Sequence, residues 1–224
     1  MLNMNFSVNH SFFDISGSQA GDLLQGQITV DVEKLENTYK PACICNNKGR
    51  VICLFWIKKN KDSFQISILR NLSTSFFDHL KKYLPFYDVQ VEESLMKNIA
   101  CKEISEWNDY LLDIRIFELT EHLSLKYTPH ELKYHENGII DFKKGCFNGQ
   151  EVIARMHYRG KLKFSLEKVL NLPDNSKDKF ITNKEGKKIG EILLQSGCNG
   201  FAFFKNKENC LSSMFIGNQQ IELS

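Results

Sequence analysis

Two apolar runs inside Ala42 to Ile57, held apart by Asn46, Asn47, Lys48 and Gly49, restrict the fold of this chain more than any other feature. Asn and Gly tolerate the positive φ that a tight reversal demands, so the pattern predicts a β-hairpin. Ser63 to Leu69 alternates Phe64, Ile66 and Ile68 on one face, and the polar turn Asn60 to Asp62 adds it as a third antiparallel strand. Upstream, Phe12 to Ser16 reads as a strand, and Ser18 stands where an N-cap opens a helix carrying Ala20, Leu23 and Leu24, ended by Gly26. Ser73 to Leu84 sets Phe76, Phe77, Leu80 and Leu84 on one helical stripe; Pro85 stops it, and Tyr87 to Val91 follows as a strand. The order strand, helix, hairpin, strand, helix, strand predicts an α+β fold with a largely antiparallel sheet and argues against a doubly wound dinucleotide fold.

Trp107 to Leu119 is a further predicted helix, and the polar Lys126 to Asn137 stretch with Pro129 a loop. From Lys163 onward the character becomes that of a small all-β domain. Its expected strands are Leu162 to Leu170, Phe180 to Thr182, Ile189 to Gln195, Gly200 to Phe204 and Cys210 to Ile216. Asn171 to Lys179 is the best turn or linker signal. The expected division is 1–160, with 12–93 an α/β unit inside it, and 161–224.

At 224 residues and 42% hydrophobic content the chain can bury a substantial core, and its 17 phenylalanines are core material. A net charge of +2 points to neither a dedicated nucleic-acid binder nor a membrane-surface protein. Seven cysteines without a small disulfide-dense scaffold argue for reduced thiols and a cytoplasmic setting. No stretch reaches the about 18 consecutive apolar residues of a spanning helix.

Lys143 to Glu151 carries the candidate chemistry. Asn148 and Glu151 have capping-box spacing, which places Cys146 just before a helix N-terminus, where unpaired backbone donors favour a thiolate. Lys143, Lys144 and Arg155 add to that if they fold close by; a cysteine packed under the turn is the competing reading. Arg155 and Arg159 share one helix face if the helix persists, with His157 to the side and Gly160 at its end. Cys43 and Cys45 face one side of a strand with no second close pair, so no metal site is expected. Cys53, Cys101, Cys198 and Cys210 read as core or surface thiols, and His130 and His135, beside Glu131 and Glu136, as a solvated turn.

Lys144-Gly145-Cys146-Phe147-Asn148-Gly149-Gln150-Glu151 resembles the Lys-Gly-Cys-aromatic-x-Gly-Gln-Glu motif of the YgfZ family, relatives of the glycine cleavage T-protein. Leu24 to Asp31 is similar to that family's Gln-Gly-Gln-x-Thr-x-Asp element, Cys45 to Arg50 to its hairpin turn, and Ala154-Arg155 with Tyr158-Arg159-Gly160 continues the match. The resemblance implies a T-protein-like folate-binding fold with a C-terminal β-barrel, binding tetrahydrofolate or a derivative. It also implies a role in assembling or maintaining iron–sulfur client enzymes, tRNA-modifying ones included, with Cys146 as a transient thiolate ligand or redox partner. Pterin recognition needs a flat apolar slot with polar edges, and the glutamate tail needs cations. Phe147, Gln150, Glu151, Lys144 and Arg155 supply such a set, with Gln25 and Gln27 as edge groups on the other wall, although at i and i+2 these two cannot share one pocket.

Two departures stand out. Family members carry a further α/β stretch between the counterparts of Val91 and Trp107, so the ring here is smaller or is completed by a second copy in a homodimer. The family's Pro-Gln-x-x-Asn loop appears as Pro129 to Lys133. Whether the chain turns over a substrate stays open. One alternative is a folate-dependent aminomethyltransferase; another is an RNA or protein adaptor using Lys143 to Lys163, although stable nucleic-acid binding is not expected.

Overall fold

The structure, a computed structural model, describes residues 5–94, 102–160, 162, 164–174, 178–205 and 213–224. Strand β1 (His10–Ser16) leads into α1 (Ala20–Gln27), followed by β2 (Lys40–Cys45), β3 (Val51–Lys59), β4 (Ser63–Leu69), α2 (Ser73–Leu80) and β5 (Gln90–Glu93). The five strands form one sheet in the order β2-β3-β4-β1-β5, antiparallel throughout. Next come α3 (Ile104–Asp113) and α4 (Gln150–Arg159), joined by a long turn-rich segment. The chain ends in β6 (Ser165–Leu170), β7 (Phe180–Thr182), β8 (Lys188–Ser196), β9 (Asn199–Phe204), β10 (Met214–Ile216) and β11 (Gln219–Leu223). These six close into an antiparallel barrel, β10-β11-β6-β9-β8-β7, and Phe215 opposite Thr182 makes the closing pair. The α+β class, the antiparallel sheets and the C-terminal barrel are as expected from the sequence.

The sheet is covered on both faces. Cys43, Cys45, Leu54 and Trp56 pack on one side with Trp107, Leu111, Phe117 and Tyr134, whereas Ala42, Ile44, Cys53, Phe55 and Ile57 pack on the other with α1 and α2. Successive strand residues point to opposite faces, so burial on both sides turns β3 into an unbroken apolar run. Double coverage also corrects the one-faced reading of β4: Gln65 and Ser67, between the apolar positions, are buried too. Gln65 answers its burial by donating to Asp14 and accepting from the Tyr39 hydroxyl. Strand β5, at the far edge, carries Gln90, Glu92 and Glu93 exposed.

Several element ends differ from expectation, each for a local reason. Ser18 does not cap α1; its hydroxyl donates to Asp88 Oδ2 at 2.6 Å, Gln19 holds the N-cap position, and Gly26 lies inside the helix. Helix α2 stops at Leu80, and Leu84 to Phe86 form a separate 3-10 turn containing Pro85. Helix α3 starts earlier and ends sooner than expected, opened by a reciprocal Glu103–Glu106 capping box and followed by Arg115 at positive φ. Strand β5 runs two to three residues later than Tyr87 to Val91, β6 begins at Ser165, and β10 is Met214–Ile216. Cys101 and Cys210 lie outside the described residues. Among the described residues no helix is long and apolar enough to cross a membrane.

Candidate functional site

The three sequence segments that carry the resemblance are far apart in the chain and meet in space. The end of α1 is the socket. Lys144 Nζ donates to the carbonyls of Gln25 (2.8 Å) and Ile28 (2.6 Å), and the Asn148 amide donates to the carbonyl of Gly26 (3.0 Å). Thr29 extends the joint: its hydroxyl donates to Ile139 O at 2.6 Å and accepts from the Cys43 amide at 3.0 Å, and its carbonyl accepts from the Asp141 amide. Lys34 bridges Asp31 and Asp141 at the rim; it lowers the Asp141 carboxyl pKa, and at Asp31 burial is outweighed by hydrogen bonds from Gln25 and then Lys34, so that carboxyl is lowered too. Carbonyls left free at a helix C-terminus carry partial negative charge, so a buried ammonium there satisfies orphan acceptors. Burial nonetheless pushes the Lys144 pKa down to about 8, with Asp31 and Asp141 acting in the opposite direction.

The β2–β3 turn supplies the other side. Asn46 Oδ1 accepts from the amides of Lys48 and Arg50, which shapes the reversal predicted from its sequence. Gly149, at φ +82°, lies so close to this turn that a Cβ there would collide with the Asn46 carbonyl oxygen. Gly149 therefore occupies the N-cap position of α4 without any side-chain cap, and the expected Asn148–Glu151 capping box does not form. Asn148 instead donates through Nδ2 to the Tyr83 hydroxyl, while Gln150 Oε1 accepts from the Phe147 amide. Arg50 ties the turn to the following loop by donating to Lys126 O and to Glu131, a carboxylate that also accepts from Thr128 N and Oγ1.

Cys146 sits on the outside of this joint, exposed, between buried Lys144 and buried Phe147. Cys43, Cys45 and Cys53 are sealed in the sheet, with Cys43 and Cys45 sulfurs 3.9 Å apart. Burial raises the Cys45 and Cys53 thiol pKa values far from the thiolate range. Cys198 is exposed on the barrel. Gln25 and Gln27 face different ways, as their spacing requires: Gln25 holds Asp31 and the Val32 amide, and Gln27 meets the His79 ring. Helix α4 does persist to Arg159 and ends at Gly160, with Glu151, Arg155 and Arg159 exposed along it.

A separate cavity of about 650 Å³ opens between the segment before β1, the end of β4, α3 and β8. Asn9, Arg70, Trp107, Asn108, Glu118 and Leu194 are among its walls. Glu118 is 3% exposed; Oε1 accepts from His10 Nε2 (3.0 Å) and Trp56 Nε1 (3.2 Å), and Oε2 from Trp107 Nε1 (2.7 Å). None of Cys146, Lys144, Phe147, Gln150, Glu151, Arg155, Gln25 or Gln27 lines this cavity. Sequence reasoning missed Glu118 by continuing α3 through it; a lone carboxylate between Phe117 and Leu119 was the available signal. The His130 and His135 expectation is also corrected: His130 is 2% exposed and His135 is half-buried, in contact with His157 of α4.

The sequence and the fold have counterparts. The tRNA-modifying protein YgfZ of Buchnera aphidicola subsp. Acyrthosiphon pisum is 25% identical over 68% of each chain. That of Colwellia psychrerythraea is 41% identical over 50% of this chain and 37% of its own. The chain is similar to the YgfZ proteins. A protein of Haemophilus influenzae without an assigned role is 26% identical over 67% of each chain. No family model matches the sequence. Among solved structures, aminomethyltransferase T of the glycine cleavage system from Bartonella henselae superposes with a TM-score of 0.71 at 10% identity, covering 97% of this chain and 84% of that one. The architecture shared by the YgfZ-like chain and that enzyme is thus T-protein-like, barrel included.

Proposed function

We propose that the chain binds tetrahydrofolate or a derivative and supports assembly or repair of iron–sulfur enzymes, tRNA-modifying ones included, with Cys146 as the acting thiol. The observation that carries this reading is the contrast among cysteines: three are sealed in the sheet, whereas Cys146 is held outward on a turn fastened by Lys144, Asn148 and Gly149. Thiol chemistry on a partner needs an accessible sulfur in a fixed place. Lys144 and Gln150 then serve by holding the turn that carries Phe147, Gln25 offers Lys144 its main-chain carbonyl, Gln27 braces α1 against His79, and Glu151 and Arg155 face whatever approaches.

The folate belongs in the 650 Å³ cavity, whose size suits a small-molecule site. Trp107 and Leu111 offer an apolar wall, Glu118 and Asn108 offer acceptors for the N–H edge of a pterin, and Arg70 offers a cation for its tail. Calorimetry with tetrahydrofolate tests the binding, and rescue of iron–sulfur enzyme activity in cells lacking the protein tests the thiol. Cys146→Ala is expected to bind folate as the parent does and to fail in rescue; full rescue removes the thiol from the mechanism. The likeness to an aminomethyltransferase favours a second reading, one-carbon transfer. Turnover with tetrahydrofolate and an aminomethyl donor separates the two, since an accessory factor binds without turning over.

A further inference from the structure

Beneath the last turns of α4 lies a group of rings that the proposed function does not use. Neither nitrogen of His130 has a hydrogen-bond partner among the described residues, and Nδ1 of His135 is in the same condition. Ring centroids are 4.5 Å apart for His130 and His135, 5.7 Å for His130 and His157, and 6.2 Å for His135 and His157. His157 in turn stacks on Phe142 at 3.9 Å and 20°, beside Tyr158. The end of α4 is therefore joined to the loop before it by ring packing. No three His, Cys, Asp or Glu side chains among the described residues are placed to hold a metal ion, which leaves the charge of the rings as what can change.

The surrounding charges do little to offset an imidazolium. The Glu131 carboxylate is taken by Thr128 and Arg50, and Lys133 is paired with Glu167. Glu136 approaches His135 Nε2 only to 3.7 Å and is itself half in water. The other charges felt by His130 are the two neighbouring imidazoles.

We propose that His130 and His135, packed against the His157 ring, form an acid-released latch, in which the neutral buried rings hold the end of α4 on the 128–138 loop and their protonation drives the helix off. Burial, then His135 and His157, push the His130 pKa down to about 4, and burial lowers His135 as well. A proton is therefore taken up more readily by the opened form than by the closed one, so opening is favoured as pH falls below about 6.5. The latch stands on packing alone and does not depend on the folate or thiol reading.

Amide hydrogen exchange on the ligand-free chain tests it, using protection factors so that the intrinsic pH dependence of exchange is removed. The barrel strands contain no histidine and serve as the reference. Between about pH 7.5 and pH 5, protection of 150–160 and 128–138 is expected to fall by about tenfold or more relative to β6 and β9. His130→Phe should abolish that fall. Should its larger ring upset the core at neutral pH, His135→Phe, at a half-buried position, is expected to reduce the fall. Constant protection in the parent overturns the latch, as does a fall shared equally by the barrel or an undiminished fall in the variants.

Discussion

Glu118, on the cavity wall, and His130, under the end of α4, bury ionisable groups to nearly the same extent, 3% and 2% exposed. Both oxygens of Glu118 are met by donors from β1, β3 and α3, whereas neither nitrogen of His130 is met among the described residues. A carboxylate with three donors fixes the elements that carry them. An imidazole without partners is held only by the shape around it, so its region gives way first. The lesson is that depth alone does not tell frame from moving part; the fate of each donor and acceptor does.

The largest test of this contrast is Glu118→Ala. It leaves Trp56 and Trp107 N–H groups buried without an acceptor and should cost about 3–5 kcal/mol in urea unfolding. A loss below about 1 kcal/mol would place Glu118 with the loosely held groups. Acid comes next. Because the folded His130 pKa, about 4, lies below the usual 6.5, its contribution is intact above pH 6.5 and is lost as the pH falls toward 4, flattening below that. That amounts to about 3 kcal/mol, read by urea unfolding across this window against His130→Phe. His79, likewise lowered to about 4 by burial and by Lys82, adds a loss in the same window, and His79→Phe isolates it.

Gly149→Ala probes the junction between the two regions. Its φ of +82° and its contact with the Asn46 carbonyl predict a loss of about 1–3 kcal/mol in thermal unfolding. Should alanine be neutral there, the hairpin turn does not brace α4. Cys146→Ala has the smallest expected effect on folding, within about 0.5 kcal/mol, because the thiol is exposed. A larger loss would make Cys146 part of the frame.

Much of the architecture was legible because it follows from local rules. The Asn46 to Gly49 turn, the alternation in β4 and the short strands after Lys163 each announce themselves within a few residues. Strand β11 did not, since Gln219 to Leu223 carries one buried side chain, Ile221, and owes its strand to pairing with β6 and β10. The socket around Cys146 was legible only as a resemblance. Its joints run from side chain or amide to main-chain carbonyls, as in Lys144 to Ile28 and Asn148 to Gly26, and carbonyls are the same in every residue. Glu118 was hidden by a helix that stops at Asp113, and the histidines by a loop whose polarity suggested water.

Strand β5 has one further consequence. Its outer rim pairs with no other strand among the described residues, yet it runs only from Gln90 to Glu93 and carries two adjacent carboxylates. A second copy approaching edge to edge would bring like charges together over a span too short to repay them. Self-association by continuing the sheet through β5 is therefore disfavoured.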